Sequence, residues 1–491
     1  MAAKLTVSQT APARARADVL VVGMYAGRKA GPGSALLASS AGALLEASGF
    51  NGGVGETARV PADGANAKSV MVVGLGDKSK LDIDALRRVG AAIARGAKGS
   101  KSAATTVLDS LPKGVDAGDA AQAFAEGVLL GGYQYLKYKS DPKRSTLATV
   151  TLLGASGKAN AGLATGSAIA AAVIAARDLV NEPAAGKSPA QFAAEAQRVA
   201  RRSGLKCTVY SGPQLERLRL QGTIMVGMGS TRGPRFVKLE HAPSGARSTL
   251  GLIGKGVVFD SGGLSLKPSS GMEAMKTDMS GGAAVLSAMS VLGALGVRAR
   301  VVGYIPLVEN MPSGSAYRLG DVIRYRNDKT VEVMNTDAEG RLILADALAL
   351  AADDGVDAMV DLATLTGACM VALGNQIAGL MGNHDGWIGQ VRSAADRVGE
   401  KVWPLPLPPE YRKLLESEVA DMKNVGGQYG GALTAGLFLQ EFVGDVPWAH
   451  LDIAGPARSE SDNGINVKGG SGFGVRTLLE LAQHFRKPGR A

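Results

Sequence analysis

From residue 250 to residue 362 the chain alternates short apolar runs of strand length with longer alanine- and leucine-rich stretches of helix length. The runs are Leu250 to Phe259, Arg300 to Pro306, Val331 to Asn335 and Ala358 to Leu362, and the stretches are Gly282 to Leu295 and Leu342 to Ala352. Strands that read as unbroken apolar runs are buried on both faces, and strand–helix alternation brings successive strands into a parallel sheet. The pattern predicts an α/β fold in which a mixed, largely parallel sheet is flanked by helices. Aromatics make up only 4% of the chain while glycines number 67, which suits close packing of helix on sheet and argues against a large aromatic-lined groove.

At 491 residues the chain exceeds what one core usually supports, so two domains are expected. Residues 17 to 24 and 69 to 76 have the composition of buried strands ended by glycine. Ile83 to Ala97 and Ala120 to Leu130 have that of helices. These predict a smaller N-terminal α/β domain over 1–165. An alanine-rich connecting helix over 166–180 stops at Asn181-Glu-Pro183, where proline breaks it. Residues 181–491 form the expected catalytic domain. Gly74-Leu-Gly76 lacks the third glycine of a dinucleotide fingerprint, so it is taken as a strand-ending turn.

Two cysteines, Cys207 and Cys369, stand apart from any CxxC pattern, which disfavours a disulfide framework or a structural zinc site. The apolar run Val19 to Met24 is too short for a secretory core. Ala168 to Ala176 falls far short of the roughly 20 residues of a membrane span. The expectation is a cytoplasmic protein with no membrane partner. Net charge is +10, and residues 1 to 160 carry +8 of it, 20 Lys and Arg against 12 Asp and Glu. Such a surplus could serve a DNA-binding accessory role of the N-terminal domain, but the basic residues are scattered and no helix-turn-helix pattern accompanies them.

Three glycine-bounded segments concentrate the chemistry: Gly254 to Lys267, Met275 to Gly282, and Asn335 to Leu342. They hold Lys255, Asp260, Lys267, Asp278, Asp337, Glu339 and Arg341, with no histidine among them. Each lies at a strand-to-helix passage, the place where open α/β sheets bind ligands, and the acids are expected on loops. Lys255 and Asp260 are five apart, which in a regular strand points them to opposite faces, so their convergence demands a break in the strand. Gly254, Gly256, Gly262 and Gly263 supply places for one.

Four carboxylates and one lysine amine form a ligand set for a pair of hard or borderline divalent ions, and the nitrogen donor tips the choice away from magnesium. Lysine ligates only as the neutral amine. Its reference pKa is about 10.4, so binding must displace a proton, which adjacent dications favour. Two ions roughly 3.5 to 4 Å apart can share and activate a water, which makes the set that of a two-metal hydrolase. Lys267 and Arg341 then remain to stabilise an oxyanion or hold a small anion. Histidine-rich metal motifs, a GxSxG elbow and a Walker A loop are all missing from the sequence. A two-metal phosphoesterase is disfavoured, because such sites usually recruit histidine.

The chain resembles the leucyl aminopeptidase (cytosol aminopeptidase) family of dinuclear metallo-exopeptidases. Asn335-Thr-Asp-Ala-Glu-Gly-Arg-Leu342 is similar to its diagnostic octapeptide at every position, and Val257-Val-Phe-Asp-Ser-Gly-Gly263 to a second block. The likeness extends through Asp178-Leu-Val-Asn-Glu-Pro183, Thr364-Leu-Thr-Gly-Ala-Cys369, Asp421-Met-Lys-Asn424 and Trp448-Ala-His-Leu-Asp-Ile-Ala-Gly455. It implies one metal, manganese or zinc, on Lys255, Asp260, Asp278 and Glu339. A second would sit on Asp260, Asp337 and Glu339. Lys267 and Arg341 are the implied catalytic pair, Arg341 positioning a bicarbonate that acts as general base. Met275, Thr364 and Gly367 align with residues that line the family's pocket for the N-terminal side chain of a peptide, apolar enough for leucine or methionine. Assembly as a homohexamer is also implied. The polar stretch Pro456 to Gly474 departs from the family pattern.

Overall fold

Two sheets organise the chain, which the computed structural model describes over residues 3–61, 65–109, 111 and 114–489. Each belongs to its own unit, one comprising Met1–Ile174 with Glu460–Lys468 and the other Ala175–Ser459 with Gly469–Ala491. In the first unit the strands run in the order Lys4–Ser8, Thr149–Leu153, Ser102–Thr105, Ala17–Tyr25, Ala67–Gly76 and Thr57–Val60. All pairings along this path are parallel except that of the last strand.

Why the central strand is apolar without alternation is visible in its packing. Val19 and Val21 join a core with Leu86, Val89, Phe124 and Val128 of helices Ile83–Gly96 and Ala117–Gly131. Leu20, Val22 and Met24 join a second core with Ala41, Leu45 and Phe50. Both faces are therefore dry, as a mostly parallel sheet requires. Asp82 and Asp116 cap the two helices by accepting from the backbone N–H of Ala85 and Gly118 at 2.7 Å each. Between the helices the buried Arg87 donates to the buried Glu126 at 2.6 Å. Elsewhere in this unit Lys68 pairs with Asp18 and Lys158 with Asp116.

The second sheet has nine strands, and its path runs Val402–Pro404, Ala378–Gly382, Trp448–Asp452, Ala358–Ala363, Thr249–Gly254, Arg300–Asn310, Arg235–His241 and Lys206–Ser211. The four strands from Trp448–Asp452 to Arg300–Asn310 are mutually parallel, so their carboxyl ends open on one edge. Helices Ser280–Met289 and Glu339–Asp353 are buried along almost their whole length against this sheet.

Several elements differ from their sequence reading. The run 250–259 is two strands, Thr249–Gly254 and Gly256–Asp260, parted at Lys255. The run 331–335 contributes only Thr330–Glu332. The helix expected from Leu342 already begins at Glu339, which places that acid and Arg341 in a first helical turn rather than a loop. Leucines after the metal motif mark the apolar face of the helix but not its start, which polar residues supply. The alanine-rich helix runs Lys158–Asn181. By length and composition it could cross a membrane, since small alanines keep a long window apolar, yet half of that window is buried within the protein. In the polar stretch Pro456 to Gly474, Arg458–Ser459 pairs with Gly469–Gly470, and Glu460–Lys468 between them groups with the first unit.

Removing one partner of a buried ion pair strands the other charge. Glu126→Ala should therefore lower the stability of the helical layer by about 3–5 kcal/mol, while Arg87→Met with Glu126→Leu recovers most of it. Hydrogen exchange of helix Ile83–Gly96 measures both. Unchanged protection in the single variant would contradict the structure.

Candidate metal centre

The carboxyl ends of the parallel strands carry the site. Thr249–Gly254 pairs on both sides, with Arg300–Asn310 and with Ala358–Ala363, until Lys255. Gly256–Asp260 then continues along Arg300–Asn310, with a register shift between Val257 and Phe259. One extra residue in a strand reverses the alternation beyond it. Lys255 and Asp260, five apart, are thereby brought into one cluster. After Asp260 the chain turns through Gly262 and Gly263 at φ of 86° and 64°, in the left-handed region that favours glycine.

The side chains form two linked groups. The Lys255 Nζ lies 2.9 Å from Asp278 Oδ1 and 2.8 Å from Glu339 Oε1, and donates to the Thr364 carbonyl at 2.9 Å. The Lys267 Nζ lies 2.9 Å from Asp260 Oδ2 and contacts Asp337 Oδ1. Asp260, Asp337 and Glu339 join these groups, each offering a carboxylate oxygen within 4.8 Å of the others. A Cβ on Gly340 would lie 2.7 Å from the Lys255 amine, so the absence of a side chain there is what lets that amine reach Glu339. Six of the seven residues singled out from the sequence thus share one cluster. Arg341, on the helix that Glu339 begins, donates from Nη1 to the Asn424 carbonyl at 2.7 Å, and its buried Nε is without a partner among the described residues.

Burial dominates the electrostatics. It raises Glu339 to about 8, with Asp260 adding to the rise and Lys255 opposing it. Asp278 is raised to about 6, again mainly by burial, and Asp337 rises through burial and then the neighbouring Asp260. For the two lysines burial works against the charge, but the carboxylates outweigh it and both stay protonated: Asp278 and Glu339 around Lys255, Asp260 and Asp337 around Lys267. Burial lowers Arg341 to about 10, still charged at neutral pH. Asp278 Oδ2 and Glu339 Oε2 are buried with no hydrogen-bond partner among the described residues. Orphaned carboxylate oxygens in a dry acidic cluster fit a divalent cation, which would satisfy them and displace the lysine protons.

Residues not singled out from the sequence brace the cluster and the loops around it. Asn310, at the end of its strand, donates from Nδ2 to Asp260 Oδ1 and to the Thr336 carbonyl, both at 2.8 Å. Thr336 donates to the Gly262 carbonyl at 2.6 Å, and Tyr317 donates to the Thr336 carbonyl at 2.7 Å. Asn424 accepts from Met334 N–H at 2.8 Å and donates to the Asn335 carbonyl at 2.7 Å, which closes the loop before Asp337. Asp452 accepts from Thr366 Oγ1 at 2.7 Å. A polar residue ending an apolar strand run, as Asn310 and Asp452 do, was the available signal.

Of the expected pocket residues, Thr364 proves to be tied to the metal cluster, its hydroxyl donating to Asp278 Oδ1 at 2.7 Å. Met275 opens the half-buried turn Met275–Thr277, and Gly367 begins the exposed helix Gly367–Leu373.

Residues 174–479 match the cytosol aminopeptidase family, catalytic domain, and residues 21–142 match the N-terminal domain of that family. A protein of Streptomyces avermitilis named "Probable cytosol aminopeptidase" is 44% identical over 508 aligned positions, covering 98% of each chain. One of the same name from Aquifex aeolicus is 43% identical over 89% of each. Among solved structures, the bottromycin maturation enzyme BotP in complex with manganese is 40% identical with a TM-score of 0.87, covering 95% of this chain and 99% of its own. A mutant of tomato leucine aminopeptidase is 33% identical with a TM-score of 0.88, over 98% and 96%.

A methyl group at position 340 would push the Lys255 amine aside. Gly340→Ala should weaken manganese binding by about 10- to 100-fold, the usual effect of disturbing a ligand's support, with the fold retained. Calorimetric titration beside a circular dichroism spectrum measures this. The raised acids also set a pH dependence. With Asp278 near 6 and Glu339 near 8, an entering ion must displace protons, so affinity should climb about tenfold per pH unit for each proton released between pH 6 and 8. The same titration at four pH values counts the protons: a rise of only about tenfold per pH unit, that of the Lys255 amine alone, would show that these acids were already ionised.

Proposed function

The chain belongs to the cytosol aminopeptidase family, and from that premise we propose that it releases N-terminal residues, preferably leucine and other large apolar ones, from peptides at a centre of two divalent ions. The observation that carries this reading is the cluster of Asp260 and Glu339, both buried, with the half-buried Asp337, set beside the buried Asp278, four acids against two lysines. Lys255, Asp260, Asp278 and Glu339 would hold one ion, and Asp260, Asp337 and Glu339 the other. Manganese in the BotP structure makes it the first ion to try, with zinc beside it. Bound there, the ions supply Lewis acidity for the scissile carbonyl and lower the pKa of a water.

The chain's own groups do the rest. Asp278 is an acceptor for the cationic amino terminus of a peptide, oriented by the Thr364 hydroxyl and by Lys255. Lys267 stands on the turn after Asp260 beside Asp260 and Asp337 with its side chain 16% exposed, so its ammonium would be available to donate to a developing oxyanion. Arg341, fixed by Asn424, presents a guanidinium suited to a planar oxyanion, and bicarbonate held there would act as general base. Met275, together with Thr364 and Gly367, would line the pocket for the first side chain. Met370 and Val371, exposed on the helix that Gly367 begins, give that region an apolar surface. A cytoplasmic homohexamer acting on peptides is the setting that the family resemblance supports.

Chelator-stripped protein should hydrolyse leucine p-nitroanilide only after manganese or zinc is restored. Glu339→Ala should remain inactive with either ion. Lys267→Ala should lower turnover by roughly 10²-fold or more while metal content stays that of the wild type, as for loss of an oxyanion donor. Inactivity of folded, metal-loaded wild type on any peptide would sink the proposal. Loss of metal in Lys267→Ala would move that residue among the ligands.

A further inference from the structure

The turn that carries Asp278 is held from behind by a charge outside the metal cluster. Lys187 follows the turn Ala184–Gly186 and is 2% exposed. Its Nζ lies 2.8 Å from the Leu179 carbonyl oxygen, 3.3 Å from that of Val180, 2.5 Å from that of Lys276 and 3.3 Å from Met279 Sδ. Two of these groups belong to the last turn of helix Lys158–Asn181, whose final carbonyls have no partner within the helix. The other two flank Asp278 in sequence.

An ammonium has three N–H donors and no acceptor, and three carbonyls use all of them. A neutral amine would turn its lone pair toward an oxygen or sulfur, so the geometry calls for the charged form although burial disfavours it. The tie is reciprocal, because Lys276 Nζ donates to the Asn181 carbonyl at 2.8 Å. Lys255 and Thr364 hold the Asp278 carboxylate from the side of the cluster, while the main chain behind it is more open: residues 270–277 are half-buried or exposed, and the Asp278 N–H reaches the Met275 carbonyl only at 3.3 Å.

We propose that Lys187 is a positioning residue for the metal centre, its ammonium filling a cage of three main-chain carbonyls and a thioether that fixes the Met275–Met279 turn, and with it Asp278, against the end of the helix. The inference rests on Asp278 as a metal ligand. Truncating the side chain leaves the carbonyls facing an empty space of ammonium size, which a small monocation can enter.

The test uses the full chain with Lys187→Met, which keeps the stem and removes the charge, and Lys187→Ala, which opens the cage. Manganese affinity is measured by calorimetry in ammonium chloride and in tetramethylammonium chloride at equal ionic strength. Both variants should bind manganese about 10- to 100-fold more weakly than wild type in tetramethylammonium, as when support of a ligand is lost. Lys187→Ala alone should regain affinity in ammonium, which fits the cage where tetramethylammonium does not. Wild-type affinity in Lys187→Met, or equal loss in both salts for Lys187→Ala, would overturn the proposal. So would failure of both variants to fold in either salt, which would make Lys187 a requirement of folding. If wild type itself takes up no manganese, the reading of the centre fails first.

Discussion

Burying several carboxylates side by side is unfavourable twice over, through lost hydration and through mutual repulsion in a medium of low polarity. Asp260, Asp278 and Glu339 are nonetheless almost wholly buried, with Asp337 beside them. Without metal, the ammonium groups of Lys255 and Lys267 divide four acids between them, and burial, joined by repulsion between the acids, still raises Asp278, Asp337 and Glu339 above the usual carboxylate range. Much of the surrounding structure answers to this imbalance. It explains why Gly340 must be small, why Asn310 spends its amide on Asp260, and why two acid oxygens remain without partners.

The sheet supplies the convergence. Parallel strands end on one edge, and the break at Lys255 with the register shift near Val258 lets a single strand line deliver both a lysine and an aspartate to the cluster. Helix Glu339–Asp353 brings Glu339 in at its amino terminus, where the helix dipole favours a carboxylate and offsets part of its burial. A strand end thus holds Asp260 and a helix start Glu339. Asp278 and Asp337 sit instead on turns that belong to neither a strand nor a long helix, and Asp278 is anchored by Lys255 and Thr364 at its carboxylate and by lysines reaching carbonyls behind it.

Much of this was legible in the chain. Glycine-bounded acids at strand-to-helix passages indicate a metal centre because local periodicity reveals the passages and residue chemistry reveals the ligands. The need for a break between Lys255 and Asp260 followed from strand alternation alone. Boundaries and distant contacts were less legible: Glu339 looked like a loop residue because helix starts lack apolar periodicity, and the bond from Thr364 to Asp278 was hidden because it spans 86 positions.

The sequence by itself determined the α/β alternation, the seven ionisable residues of the centre and the family whose pattern they share. Periodicity, turn chemistry and residue type are properties of neighbours in the chain. Tertiary structure alone decided which lysine pairs with which acids, that Asn310 and Asn424 brace the ligands, and that Lys187 meets carbonyls from residues 179, 180 and 276. Those outcomes depend on desolvation and on contacts between segments far apart in the chain, quantities that exist only once the sheet has set its register.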